Sequence, residues 1–185
     1  MGDIVDRGSG ATESWECLQY LQDTAPAGSS VIRLVGNHEL WWLEGTLHMR
    51  NKNADTKEKV AKLVGSLKDS ISSGIVRAGY HRTVHGEELL FIHAGYRKKM
   101  KSRVLKDKIS TASEAAYLVN FADNALQSEV RKCLGQGTFC PEFKNELFGA
   151  GPERGGKAIG GPFWTDYSVI HSEETEQASD SMIQV

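Results

Sequence analysis

Three short blocks gather the side chains able to do chemistry: Gly2-Asp3-Ile4-Val5-Asp6-Arg7-Gly8, Gly36-Asn37-His38-Glu39 and Ile92-His93-Ala94-Gly95. Asp3 is a hard anionic donor able to bridge two cations, Asn37 offers a neutral carbonyl oxygen, and His93 offers an imidazole nitrogen. Such a mixed set suits manganese, iron or zinc better than calcium. Two such ions about 3.5–4 Å apart hold both phosphoryl oxygens and an attacking hydroxide. Arg7, four residues after Asp3, carries a guanidinium that can clamp phosphate bidentately. His38 directly follows Asn37 and is a candidate general acid for a leaving oxygen, with Asp6 to orient its ring. Taken alone, Asp3, Asp6 and Arg7 read as a solvated turn with a local ion pair. The three blocks in order favour the site reading.

Strand and helix patterns place those blocks at the ends of elements. Thr12 is a candidate N-cap for a helix carrying Trp15, Leu18 and Leu21 and ending near Pro26-Ala27-Gly28. The run Val31–Val35 predicts a short buried parallel strand that stops at Gly36, so the second block sits on a polar turn. Residues 56–71 predict an amphipathic helix, with Val60, Leu63, Val64, Leu67 and Ile71 on one face and Lys57, Lys59, Lys62 and Lys68 largely on the other. Strands around Arg82–His85 and Leu89–Ile92 predict a hairpin jointed at Gly86-Glu87, so His93 lies at a strand end. A basic stretch, Arg97–Arg103, reads as a solvated face, and a helix is expected over about Ser113–Leu134. Trp41 and Trp42 fit core or interface packing better than a substrate groove. His48, His81 and His85 have no supporting context. Residues 149–161 are glycine-rich, and Arg154 and Lys157 lie within them. No internal repeat is evident.

The chain has 185 residues and a net charge of −2, with no global basic field to draw nucleic acid or an anionic membrane. No apolar run approaches a membrane-spanning length. Cys17, Cys133 and Cys140 match no zinc spacing and read as reduced thiols, which predicts an intracellular, cytoplasmic protein.

In this order GDxVDRG, GNHE and HAG resemble the second, third and fourth blocks of the phosphoprotein phosphatase superfamily. Glu44-Gly45 with Arg50 resembles its bacterial-like Shewanella-like branch. Gly161-Pro162-Phe163-Trp164 resembles a late motif of that branch and of the wider superfamily. The resemblance spans roughly residues 2–170, and its specificity rests on the three short blocks. It implies an α/β fold, a calcineurin-like metallophosphoesterase β-sandwich with flanking helices, incomplete at the termini. Residues 1–172 would form the partial domain and residues 173–185 a polar, disordered tail.

By the same match, Asp3, Asn37 and His93 resemble metal ligands and His38 with Asp6 the general-acid pair. Arg7 resembles a phosphate-binding arginine, and Asn37 and Arg154 are candidates for further phosphate contacts. The family's first block, GDxHG, would lie before Gly2. Its last ligand histidine has no counterpart, because His171 follows Trp164 too soon. The expectation is therefore a chain truncated at both ends, with one partial site of a two-metal centre. The implied activity is hydrolysis of phosphomonoesters, with phosphorylated protein as substrate and no nucleic-acid or membrane partner. Two alternatives remain: a dinucleoside-polyphosphate hydrolase, and an inactive truncated or scaffold form. Glu39, where the dinucleoside branch tends to carry aspartate, leans toward the phosphoprotein reading.

Overall fold

Periodicity becomes packing most plainly in the helix expected at 56–71. In the computed structural model, which describes residues 2–5, 10–46, 56–106, 113–152, 156, 160–165 and 182–184, the elements run α1 (Ala11–Asp23), β1 (Arg33–Leu34), α2 (Asn37–Glu44) and α3 (Lys57–Ser72). They continue with β2 (Val76–Arg77), β3 (Gly79–Val84), β4 (Glu87–Ile92), α4 (Lys98–Leu105), α5 (Glu114–Lys132), a 3₁₀ turn (Glu146–Phe148) and β5 (Met182–Gln184). The chain is mixed α/β, as expected. It divides into two compact units: Met1–Arg77 with Gln127–Glu142, and Ala78–Leu126 with Phe143–Val185. No helix among the described residues is long and apolar enough to cross a membrane.

In the first unit α3 is N-capped by Thr56, whose hydroxyl oxygen accepts the Lys59 N–H at 3.3 Å. Leu63, Val64, Leu67 and Ile71 are buried. Lys68, expected on the polar face, is buried as well. Its ammonium donates to the carbonyls of Cys133, at 3.3 Å, and Gly137, at 2.9 Å, which replaces the water it gives up. Against α3 lies α1, where Trp15 donates its indole N–H to Ser66 Oγ at 2.9 Å. The α1 N-cap is Gly10 rather than Thr12, because Thr12 is already inside the helix and buried. Arg33 is also buried, its guanidinium 4.5 Å over the Trp15 ring while Nε donates to Gln22. The predicted strand at 31–35 shrinks to two residues, paired in parallel with β2 as Arg33↔Val76 and Leu34↔Arg77. Cys133 and Cys140, expected as free thiols, are joined as a disulfide, and Cys17 alone is free. The turn that follows α5 brings the two sulfurs together.

The second unit holds the expected hairpin. β3 and β4 pair antiparallel from Gly79↔Ile92 to Val84↔Glu87, and β5 joins β4 in parallel. The joint is His85-Gly86, with φ of 52° and 87°, one residue earlier than expected. Positive φ at both central residues is the type I′ turn that matches strand twist. β5 falls within the stretch expected to be a tail; the rest of 173–185 lies outside the described residues. The basic stretch is the helix α4, and it is no fully solvated face. Met100, Lys101 and Val104 are buried, Lys101 lies 3.8 Å from Glu114, and Arg103 pairs with Glu146.

Tyr96 is nearly inaccessible and donates its hydroxyl proton to Leu118 O at 3.0 Å. Burial, with a smaller contribution from the Asp123 charge, pushes its phenol well above the ordinary tyrosine range. The folded-state value is raised, so its stabilisation is intact at neutral pH and lost as pH rises past about 10, where the unfolded phenol ionises. Wild type should lose stability faster than Tyr96→Phe above about pH 10 in denaturant titrations. Parallel slopes for the two proteins would contradict this. At neutral pH the variant should cost about 1 kcal/mol through the lost hydrogen bond.

Candidate active site

The second block was expected on a turn; instead Asn37, His38 and Glu39 form the first turn of α2. Local chemistry explains the helix. Glu39, at the third helical position, accepts the N–H of the N-cap Gly36 at 2.7 Å, half of a capping box. At the other end Gly45 closes the helix with φ 76°, its N–H bonding Trp42 O and that of Thr46 bonding Trp41 O.

Glu39 also reaches across the chain. Its fully buried carboxylate accepts from Asp3 N at 2.8 Å, Ile4 N at 2.7 Å and Val5 N at 3.0 Å, besides Gly36 N. Four backbone donors thus converge on one carboxylate. Charge-assisted bonds of this kind are about twice as strong as neutral ones. They hold the first block against the start of α2 and hold Asp3 at φ 51°, a left-handed conformation that Asp tolerates better than most residues. The positive end of α2 further favours two carboxylates at this place.

Asp3 in turn meets His38. Its Oδ1 accepts the His38 backbone N–H at 3.2 Å, and its Oδ2 lies 3.6 Å from His38 Nε2. The histidine side chain is 3% exposed and that of Asp3 is 35% exposed, so the carboxylate is the open side of the pair. Trp41, half-buried, stands edge-on to the His38 ring at 4.9 Å between centroids. Trp42 is buried in the core, in line with the packing expectation.

Gly36 is required by close approach, not by its φ. A Cβ there would lie 2.4 Å from Asp3 Oδ1 and 2.5 Å from Asp3 N. Gly36→Ala must push the first block away, and overpacking of this kind costs about 1–3 kcal/mol. Thermal unfolding should show that loss, whereas Gly65→Ala, in open space on α3, should show none.

The structure therefore brings together Asp3 and His38 in the first unit, with Asn37 next to His38 in the first turn of α2. Asp6, Arg7 and Arg154 lie outside the described residues. His93 follows β4 in the second unit, as expected of a strand-end residue. There the HAG block is tied to the Gly161-Pro162-Phe163-Trp164 block, because Ala94 N–H donates to Pro162 O at 2.8 Å. Gly161 has no room for a Cβ, which would fall 2.0 Å from Leu147 O, and Phe163 stacks on Phe148 at 5.6 Å.

Among the described residues no three His, Cys, Asp or Glu side chains come together at a spacing that would hold an ion. The residue whose structural role went unrecognised is Glu39, read only as a branch marker. An acid three residues after an N-cap glycine was the available signal.

No protein-family profile matches the chain, and no solved structure does. Among curated proteins, it is similar to the symmetrical bis(5′-nucleosyl)-tetraphosphatase of Delftia acidovorans, 28% identical over 174 residues. That alignment covers 92% of this chain and 52% of the relative, so the chain spans about half the relative's length. The likeness is to a tetraphosphatase. It lends no weight to the Shewanella-like branch, which was the finer expectation.

Proposed function

We propose that this protein is a phosphohydrolase acting on dinucleoside polyphosphates. Water would add across the central anhydride of a bis-nucleosyl tetraphosphate and leave two nucleoside diphosphates. The observation that carries this reading is the likeness to a tetraphosphatase along nearly the whole chain. It moves weight from the phosphoprotein substrate to what had been the alternative.

In this reading Asp3, Asn37 and His93 are donors to divalent metal in the complete centre. His38 holds a proton at a ring nitrogen and delivers it to the leaving phosphate oxygen. The Asp3 carboxylate and the Trp41 edge fix which way that ring faces. Glu39 keeps Asp3 in place without touching substrate.

One observation favours a second reading, hydrolysis of phosphoprotein: position 39 is glutamate where the tetraphosphatase branch tends to have aspartate. Diadenosine tetraphosphate and a phosphopeptide, offered separately with manganese, decide between them. Nucleoside diphosphate from the first with no phosphate from the second supports our reading. The reverse pattern overturns it.

A further inference from the structure

The C-terminal end of α2 is gripped by a loop that the catalytic reading does not use. Residues 134–139, between Cys133 and Cys140, are all exposed, while both cysteines are buried. The Cys133–Cys140 disulfide, with 5.2 Å between Cα atoms, closes this loop. From the closed loop Cys140 N–H donates to Leu43 O at 2.7 Å, in the last turn of α2. Beside it the Phe139 ring covers Gly45, whose Cβ position lies 2.8 Å from Phe139 Cγ. Lys68 binds the same loop from α3 through the Cys133 and Gly137 carbonyls. The helix so held is eight residues long, and its other end carries Asn37 and His38.

We propose that Cys133 and Cys140 are a thiol–disulfide modification site whose oxidised state braces α2. The reaction is exchange with a small disulfide such as oxidised glutathione. The thiolate of one cysteine attacks that reagent, displaces one glutathione thiol and forms a mixed disulfide; the thiolate of the other then displaces the second. Two electrons and two protons leave the protein, and two thiols are produced. A dithiol reductant reverses both steps. The buried sulfurs become reachable when the exposed loop opens, which is a local event and not a global one. In the reduced state the loop is free to open from Leu43 and Gly45, and the last turn of α2 opens with it.

The test needs no catalytic activity, so its failure is distinct from failure of the proposed hydrolysis. The full chain is equilibrated with oxidised glutathione or with dithiothreitol, quenched and alkylated, then weighed. After oxidation Cys133 and Cys140 are expected to carry neither alkyl group nor glutathione, with Cys17 as free thiol or as its glutathione mixed disulfide, and after reduction all three cysteines are expected to be alkylated. Hydrogen exchange at the Gly45, Thr46 and Cys140 amides should be about tenfold slower in the oxidised protein. Cys17→Ser should leave that difference unchanged, whereas Cys133→Ser with Cys140→Ser should exchange at the reduced rate in both buffers. An alkylated or glutathionylated Cys133 or Cys140 after oxidised glutathione would overturn the assignment of the pair. Equal exchange in the two states would overturn the brace, and it would do so on wild type even if the double variant failed to fold.

Discussion

Glu39→Gln is expected to lower the melting temperature by about 6–12 °C, corresponding to about 3 kcal/mol in a chain of this size. The carboxylate is fully buried and accepts four backbone N–H groups, from Gly36, Asp3, Ile4 and Val5. Glutamine keeps the shape and one acceptor oxygen. Its amide nitrogen then faces N–H donors, leaving buried donors without partners, which costs more than a hydrogen bond contributes. Glu39→Asp keeps the charge but falls one methylene short, so its loss should be intermediate. Thermal unfolding followed by circular dichroism measures both. A shift of under about 2 °C for Glu39→Gln would show that the Asp3 loop is held by something else. Because the same carboxylate fixes Asp3 at positive φ, activity should fall with the clamp and not independently of it.

The second large effect is on turnover. His38→Asn should lower kcat by about 10²–10⁴-fold, the usual contribution of a positioned acid. KM should move little, because the ring is 3% exposed and meets Asp3 and Trp41. Asparagine fits the space, and His38 is not among the groups clamped by Glu39, so the melting temperature should stay within about 2 °C of wild type. Unchanged kcat with an unchanged melting temperature would remove His38 from the chemistry. A collapsed melting temperature would instead make its role structural.

How far these features were readable before the structure depends on the range of the interaction involved. The face of α3 and the β3–β4 hairpin follow from local periodicity and turn chemistry, and both stand as expected apart from a one-residue shift at His85-Gly86. The second block, expected on a polar turn, is the first turn of α2, and the signal for it is Glu39 three residues after Gly36. Burial of Lys68 was not readable, since its partners are backbone carbonyls 65 and 69 residues away. The approach of Asp3 to His38 spans 35 residues and depends on the Glu39 clamp, so residue types pointed to both side chains but not to their pairing. Cys133 and Cys140 are seven apart, and only the turn after α5 brings them within bonding distance. In the β1 region, the run Val31–Val35, with Arg33 at its centre, gives two paired residues because β2 itself is only Val76–Arg77.

The most direct test is product analysis after incubating the protein with diadenosine tetraphosphate and manganese, wild type beside His38→Asn. Adenosine diphosphate is the expected nucleotide product, with formation slowed by at least about 10² in the variant. Adenosine mono- and triphosphate as products, phosphate release from phosphopeptide alone, or equal rates for the two proteins would contradict it.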